Sequence, residues 1–208
     1  HFDGEIVLID HSPVMTFHGH LHEIVSERIT KEEIEIDLKK ALEKIAVNFL
    51  QAEIKGLKKG FVETNKGKVK YDSLIIAMGS KTCFAVKGIR KCDELKQSFH
   101  AEAIHDHLMN LDKGTIAVVG AGLTGTELVF EIKELGKKHK KNYDIHLIEA
   151  SDGPMPHFPE KARNIAKEEI EKLNIKEHYN KKIIFSDLHK ITFEDKTHLK
   201  FDLLIWTA

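Results

Sequence analysis

The sequence predicts an α/β protein with parallel, doubly wound sheets, and three observations predict it. An apolar, β-branched run, Thr115 to Val119, enters Gly120-Ala-Gly-Leu-Thr-Gly125 and then a stretch with Leu128, Val129, Ile132 and Leu135 at helical spacing. The next apolar run, Asp144-Ile-His-Leu-Ile-Glu149, ends in an acid. An earlier run, Glu5-Ile-Val-Leu-Ile-Asp10, repeats that strand-and-acid unit, so the architecture is expected twice along the chain.

The strand–glycine turn–helix passage carries the first functional expectation, a dinucleotide site. Gly120, Gly122 and Gly125 fill the G-x-G-x-x-G spacing. In such a turn the first glycine permits the tight bend, the second lets the backbone approach a pyrophosphate, and the third lets helix and strand pack closely. Orphan N–H groups at the helix start, those of Leu123 and Thr124 among them, and the helix dipole would hold the phosphates. Glu149 follows Gly125 by 24 residues, near the roughly 20 expected for a carboxylate on the ribose 2′-OH. A carboxylate there repels a 2′-phosphate, and no Arg occurs between Glu149 and Arg163. NADH is therefore expected over NADPH. The bland alternatives are a tight turn with no ligand and a solvated carboxylate at a strand end.

Composition bounds the rest. A charged fraction of 31% against 41% hydrophobic is ordinary globular usage. A formal net charge of −1 gives no bulk electrostatic reason to expect nucleic acid or an anionic membrane as partner. No apolar run reaches the 18 or so residues of a transmembrane helix, and no signal-peptide pattern is visible. Two cysteines are too few for a secreted disulfide scaffold, so a reducing, intracellular setting is expected. The chain begins without Met and stops within an apolar strand, which predicts an internal piece of a longer protein.

Taken in order, Glu5 to Asp10 predicts a buried strand, and Lys31 to Ala46 a single helix with one wet face. Val47 to Ile54 predicts one strand, and Phe61 to Thr64 with Lys68 to Val69 a hairpin about residues 65–67. Tyr71 to Ser80 predicts an apolar strand running into a glycine turn, and residues 81–93 a loop. Leu95 to Leu111 and Ala162 to Leu173 predict helices, Ile183 to Leu199 short strands with a hairpin. Alternation of His18, His20 and His22 would place three imidazoles on one side of an extended segment. No fourth ligand stands at a metal-finger spacing, so surface or pocket histidines are expected and no metal. His100, His105, His107 and His139 are expected to be solvated.

Four motifs then carry a resemblance. Tyr71-Asp-Ser-Leu-Ile-Ile-Ala-Met-Gly-Ser80 resembles the second FAD signature of flavoprotein pyridine nucleotide oxidoreductases, with Met78 where Thr is usual. Gly120 to Glu127 is similar to that family's NAD turn, G-x-G-x-x-G-x-E. Phe201 to Ala208 is similar to its return strand, and Leu147 to Ala150 with Met155 to Phe158 most resembles the type II NADH dehydrogenases. The resemblance implies two Rossmann-like domains, an FAD domain over residues 1–111 and an NAD domain over 112–208, the FAD domain incomplete at both chain ends. It places a strand with its own glycine-rich turn within about 30 residues upstream, the span of one βαβ unit. The fragment alone is then expected to be inactive.

The cofactors implied are FAD and NAD. The resemblance assigns Asp10, Ile54, Ala77, Met78, Gly79 and Ala208 to cofactor binding, beside the glycine turn and Glu149. Glu127 matches the family acid near the nicotinamide and flavin. It reads as a positioning group or, equally, as a first-turn carboxylate worth about 0.3–1 kcal/mol against the helix dipole. The activity implied is hydride transfer from NADH to flavin, with electrons passed to a small acceptor, foremost a quinone. A cytoplasmic place is expected, while a position at the inner face of the membrane, a peripheral membrane attachment of the longer protein and a homodimer are left open. Alternatives are a sulfide:quinone or other flavin reductase, or a non-catalytic NADH-binding sensor. Cys83 and Cys92 are nine apart and fit neither redox-pair spacing, so idle thiols are expected.

Overall fold

The computed structural model describes residues 4–84, 86–89 and 92–208. The chain opens with β1 (Ile6–Asp10) and β2 (Val14–Thr16), then a 3-10 turn (His18–His20) and α1 (Leu21–Val25). Next come α2 (Lys31–Ile34), β3 (Glu35–Asp37), α3 (Leu38–Glu43) and β4 (Val47–Gln51). Strands β5 (Ile54–Lys58), β6 (Phe61–Thr64), β7 (Gly67–Lys70) and β8 (Asp93–Glu94) precede α4 (Ser98–Met109). The glycine turn lies between β9 (Lys113–Val119) and α5 (Leu123–Lys138), followed by β10 (Asn142–Ile148), α6 (Glu160–Lys172) and β11 (Lys176–His178). The chain ends with β12 (Ile183–Ser186), β13 (Lys190–Phe193), β14 (His198–Lys200) and β15 (Leu203–Trp206).

Contacts divide the chain into two compact units, one of residues 1–17 and 34–80, the other of residues 18–33 and 81–208. The second unit is built on a five-stranded sheet in the order β11-β10-β9-β15-β8. Every pairing in it is parallel, as β-branched strands alternating with helices predict. Ile116, Val118, Leu128, Ile132, Leu135, Ile145 and Leu147 are fully buried. Each such aliphatic side chain is worth about 1.5–3 kcal/mol on leaving water. Alternate residues of β9, Ala117 and Val119, belong to a second cluster with Ile191, Phe193, Leu204 and Trp206. That period of two puts the antiparallel β12-β13-β14 meander on the other side of the strand. Helix α1 packs on both α4 and α5, burying Leu21, Ile24 and Val25.

In the first unit β1 and β4 pair in parallel from Ile6 opposite Val47 to Asp10 opposite Gln51. Strands β2 and β3 pair antiparallel, and β5-β6-β7 form a meander that buries Val62.

Three expectations are corrected here. The single helix over Lys31 to Ala46 is broken, because Glu35–Asp37 pairs with Val14–Thr16. The helix restarts only where the Asp37 side chain accepts the Lys40 N–H at 2.9 Å. Strand pairing and an N-cap together outweigh intrinsic helix propensity. The strand over Val47 to Ile54 is two strands. At the break the Ala52 N–H donates to the Asp10 carbonyl, and the Glu53 N–H to Asn65 Oδ1, so the chain changes partners. Residues 71–80 form no strand among the described residues, and Ile75, Ile76 and Met78 are exposed. Strand geometry is held by a neighbouring ladder, and no described segment supplies one here.

Candidate dinucleotide-binding site

The glycine turn is assembled from four segments of the second unit. Gly120 adopts φ +99°, the left-handed region that a side chain resists, and its N–H donates to the Ile148 carbonyl at 2.8 Å. A Cβ on Gly125 would stand 1.9 Å from the Gly120 carbonyl oxygen and 2.7 Å from Thr207 Oγ1, so only glycine fits. Thr207 Oγ1 itself donates toward the Val119 and Gly120 carbonyls, at 2.9 and 3.0 Å. Ala208 also lies against this bend, its N 2.8 Å from where a Gly120 Cβ would be.

The opposite face of the turn is open. Gly122 is the N-cap of α5 and no side chain caps that helix. Nothing lies within 4 Å of a Cβ built on Gly122. Gly122, Leu123 and Thr124 are exposed while Gly125 and Thr126 are buried. An uncapped helix start of 16 residues, with open space before it, fits a diphosphate by hydrogen bonding and by dipole.

Glu149 binds the turn to the loop that follows β10. Its Oε2 accepts the Ala121 N–H at 2.8 Å and its Oε1 the Ser151 N–H at 2.9 Å. The Glu149 backbone is fixed by the His178 carbonyl at 2.9 Å and by the Lys181 N–H at 3.0 Å. The Met155 N–H donates to the Ala121 carbonyl, closing the loop onto the turn. Each carboxylate oxygen retains a lone pair for a further donor, such as a hydroxyl.

Glu127, in the first turns of α5, stands beside α1. His22 is largely buried, with Nδ1 3.6 Å from Glu127 Oε2, and His20 Nδ1 lies 2.6 Å from Glu23 Oε1. Burial raises the Glu127 carboxyl above its ordinary range, and the His22 imidazole opposes the rise. Alternation would put the three histidines on one side of an extended segment, but the segment is not extended. They lie in the 3-10 turn and α1, and no group of three metal-ligating side chains forms among the described residues.

The other histidines are not simply solvated. His105 and His139 both approach the Glu27 carboxylate, at 3.5 and 2.9 Å, with Lys138 at 2.6 Å. Those hydrogen bonds, Lys138 first and His139 next, hold Glu27 at about 2. His107 pairs with Asp93 at 2.6 Å and His100 with Glu94 at 3.4 Å. Helix faces packed against acidic neighbours bring these rings in, which residue type alone does not reveal.

The remaining candidates lie in the first unit. Asp10 closes β1, half exposed, its Oδ1 accepting the Ser12 N–H at 2.8 Å and standing 3.2 Å from His11 Nδ1. Ile54 opens β5, while Ala77, Met78 and Gly79 are exposed in the unpaired stretch. Cys83 is exposed; Cys92 is half-buried, and burial, then Asp93 and Glu94, push its thiol up to about 11. Sequence reasoning missed the roles of Thr207 and of the Asp152–Arg163 pair, and it singled out His22 without its contact to Glu127. Only Thr207, a hydroxyl ending an apolar run, carried a visible signal.

Comparison places this geometry among known proteins. The family model described as pyridine nucleotide-disulphide oxidoreductase matches residues 2–208. A type II NADH:quinone oxidoreductase of Staphylococcus aureus is 28% identical over 188 residues, covering 79% of this chain and 46% of that protein. One from Haemophilus influenzae is 25% identical over 177 residues, covering 68% of this chain and 40% of that protein. The chain thus spans less than half the length of these curated relatives. Among solved structures, NDH2 from Plasmodium falciparum in complex with NADH superposes with TM-score 0.88 at 24% identity, covering 98% of this chain and 50% of that one. Among the described residues no helix is long and apolar enough to cross a membrane.

Proposed function

The chain belongs to the pyridine nucleotide-disulphide oxidoreductase family, and on that premise we propose that it forms part of an FAD-dependent NADH:quinone oxidoreductase. The observation that carries the reading is the open, uncapped start of α5 beside Gly122, with Glu149 fastened to the same turn. Gly122, Leu123 and Thr124 would receive the pyrophosphate of NADH through backbone N–H groups. Gly120 and Gly125 would keep strand and helix close enough to form that cradle. Glu149 would accept the adenosine ribose 2′-OH, which favours NADH over NADPH. Glu127 is assigned a positioning role at the first turns of the helix. The relatives' description as NADH:quinone oxidoreductases supports the quinone as acceptor.

For FAD the candidate residues are Asp10, Ile54, Ala77, Met78 and Gly79, and Ala208, beside the glycine turn, is a further cofactor-binding candidate. Space stands open around Gly79, with nothing within 4 Å of a Cβ built there, and Asp10 offers a half-exposed carboxylate at a strand end. These fit a nucleotide that needs backbone approach and an acceptor for its ribose. Residues 1–111 are assigned to the FAD domain and 112–208 to the NAD domain. Bound flavin supplies the hydride acceptance and electron release for which no side chain here is suited. The side chains bind, orient and discriminate. The reading places the protein in the cytoplasm, with peripheral attachment at the inner membrane face and a homodimer as extensions of it.

The test is direct. The purified full-length oxidoreductase of which this chain forms part should carry flavin whose visible absorbance bleaches with NADH under anaerobic conditions and returns on adding a quinone. NADPH should bleach it far more slowly. A protein that binds NADH but never flavin would instead be a nucleotide-sensing module. Bleaching by sulfide rather than NADH would move it to the sulfide:quinone branch.

A further inference from the structure

Arg163, 14 residues beyond Glu149, returns to the loop that Glu149 anchors. From the first turn of α6 its Nη2 lies 2.7 Å from Asp152 Oδ1. Its Nε is buried with no hydrogen-bond partner. A Cβ built on Gly153 would stand 3.3 Å from Arg163 Nη2 and 3.4 Å from Lys167 Nζ. Two cationic head groups therefore lie against the loop four residues from the carboxylate that would meet the ribose. A guanidinium is well suited to a phosphate because its fork binds two oxygens at once. Here part of that fork is already engaged by Asp152.

We propose that Asp152 and Arg163 are specificity-determining residues, and that Asp152 withholds Arg163 from the 2′-phosphate of NADPH. The inference rests on the nucleotide reading above and deepens it. Rejection of NADPH is then divided between two carboxylates. Glu149 repels the phosphate itself. Asp152 neutralises the guanidinium of Arg163, which reaches the loop from α6 and could otherwise compensate, and Lys167 alone offers only a point charge. Both acids stand on one loop closed over the glycine turn by the Ser151 and Met155 N–H groups. Removing Glu149 alone leaves Arg163 tied. Removing both releases it within the same loop.

The experiment is a calorimetric titration of the protein with NADH and with NADPH, comparing the ratio of their affinities. Glu149→Gln should raise the NADPH-to-NADH affinity ratio about tenfold by lifting repulsion. Glu149→Gln/Asp152→Asn should raise it about tenfold again, and that second gain should shrink with added salt. Adding Arg163→Gln should cancel the second gain and keep the first, while Arg163→Lys should retain part of it. Thermal melting accompanies each variant, so that a change in ratio is read only from folded protein. A double variant no better than Glu149→Gln, or a second gain that survives Arg163→Gln, overturns the proposal. An unmodified protein that binds neither nucleotide overturns the nucleotide reading itself, and this inference with it.

Discussion

His22 Nδ1 lies 3.6 Å from Glu127 Oε2, tying the short helix α1 to the first turns of the helix that follows the glycine turn. The pair matters because burial, the larger influence on Glu127, works against ionisation while the imidazole works for it. Glu23, Glu131 and His20 also act on Glu127, the two acids raising its pKa and the histidine lowering it. An ionised Glu127 thus sits in an environment that disfavours its charge.

That balance predicts the behaviour of Glu127→Gln. A carboxyl raised in the folded state stabilises the fold while protonated, below its unfolded value, and loses that contribution as pH rises through the folded value. The amide mimics the protonated form. Glu127→Gln should therefore melt higher than the unmodified protein near neutral pH, with the advantage fading in acid. Melting curves across pH check this, and a lower melting temperature at neutral pH would refute it.

Gly122 and Gly125 should respond oppositely to the same added methyl. Gly125→Ala places a Cβ 1.9 Å from a backbone oxygen and should lower stability by several kcal/mol, as overpacking and backbone shift would require. Gly122→Ala meets open space at φ −66° and should fold normally. Its methyl would occupy the approach to the pyrophosphate, so NADH affinity should fall at least tenfold. Melting temperature and nucleotide titration together separate the two.

Glu27 should mark an acid-labile contact. Its carboxyl is held at about 2 by Lys138, then His139, so its stabilisation is present above the ordinary carboxylate value of 4.5 and is lost as pH falls toward 2. Glu27→Gln should lower the melting temperature at neutral pH and flatten its decline across that window. Parallel curves for the two proteins between pH 5 and pH 2 would refute the assignment.

The thiols should be dispensable. Cys92, pushed up to about 11, is protonated at neutral pH and a poor nucleophile. A maleimide should label exposed Cys83 well before Cys92. In the full-length oxidoreductase of which this chain forms part, Cys83→Ala/Cys92→Ala should keep flavin and most NADH:quinone activity. Loss by orders of magnitude with flavin retained would indicate a sulfur relay.

Legibility followed the range of the interactions. The β9–α5–β10 passage was readable because strand, turn and helix are each set by residues within one short window. Lys31 to Ala46 misled because its helical spacing is real, yet β2, some twenty residues earlier, captures Glu35–Asp37. Tyr71 to Ser80 has strand composition, but no described segment supplies a ladder partner. The histidines near Glu27 were misread because a ring's surroundings depend on which helices meet.

The sequence by itself determined the parallel α/β architecture of the second unit, the glycine turn and the acid that closes the following strand. Those features arise from backbone permissiveness and from hydrophobic periods of two and 3.6 residues, which are local. Only the tertiary structure decided that Thr207 and Ala208 wall the turn, that His22 faces Glu127, and that Arg163 meets Asp152. Each of these joins side chains on separate elements. Their meeting is set by how sheet and helices pack, and no spacing in the chain encodes it.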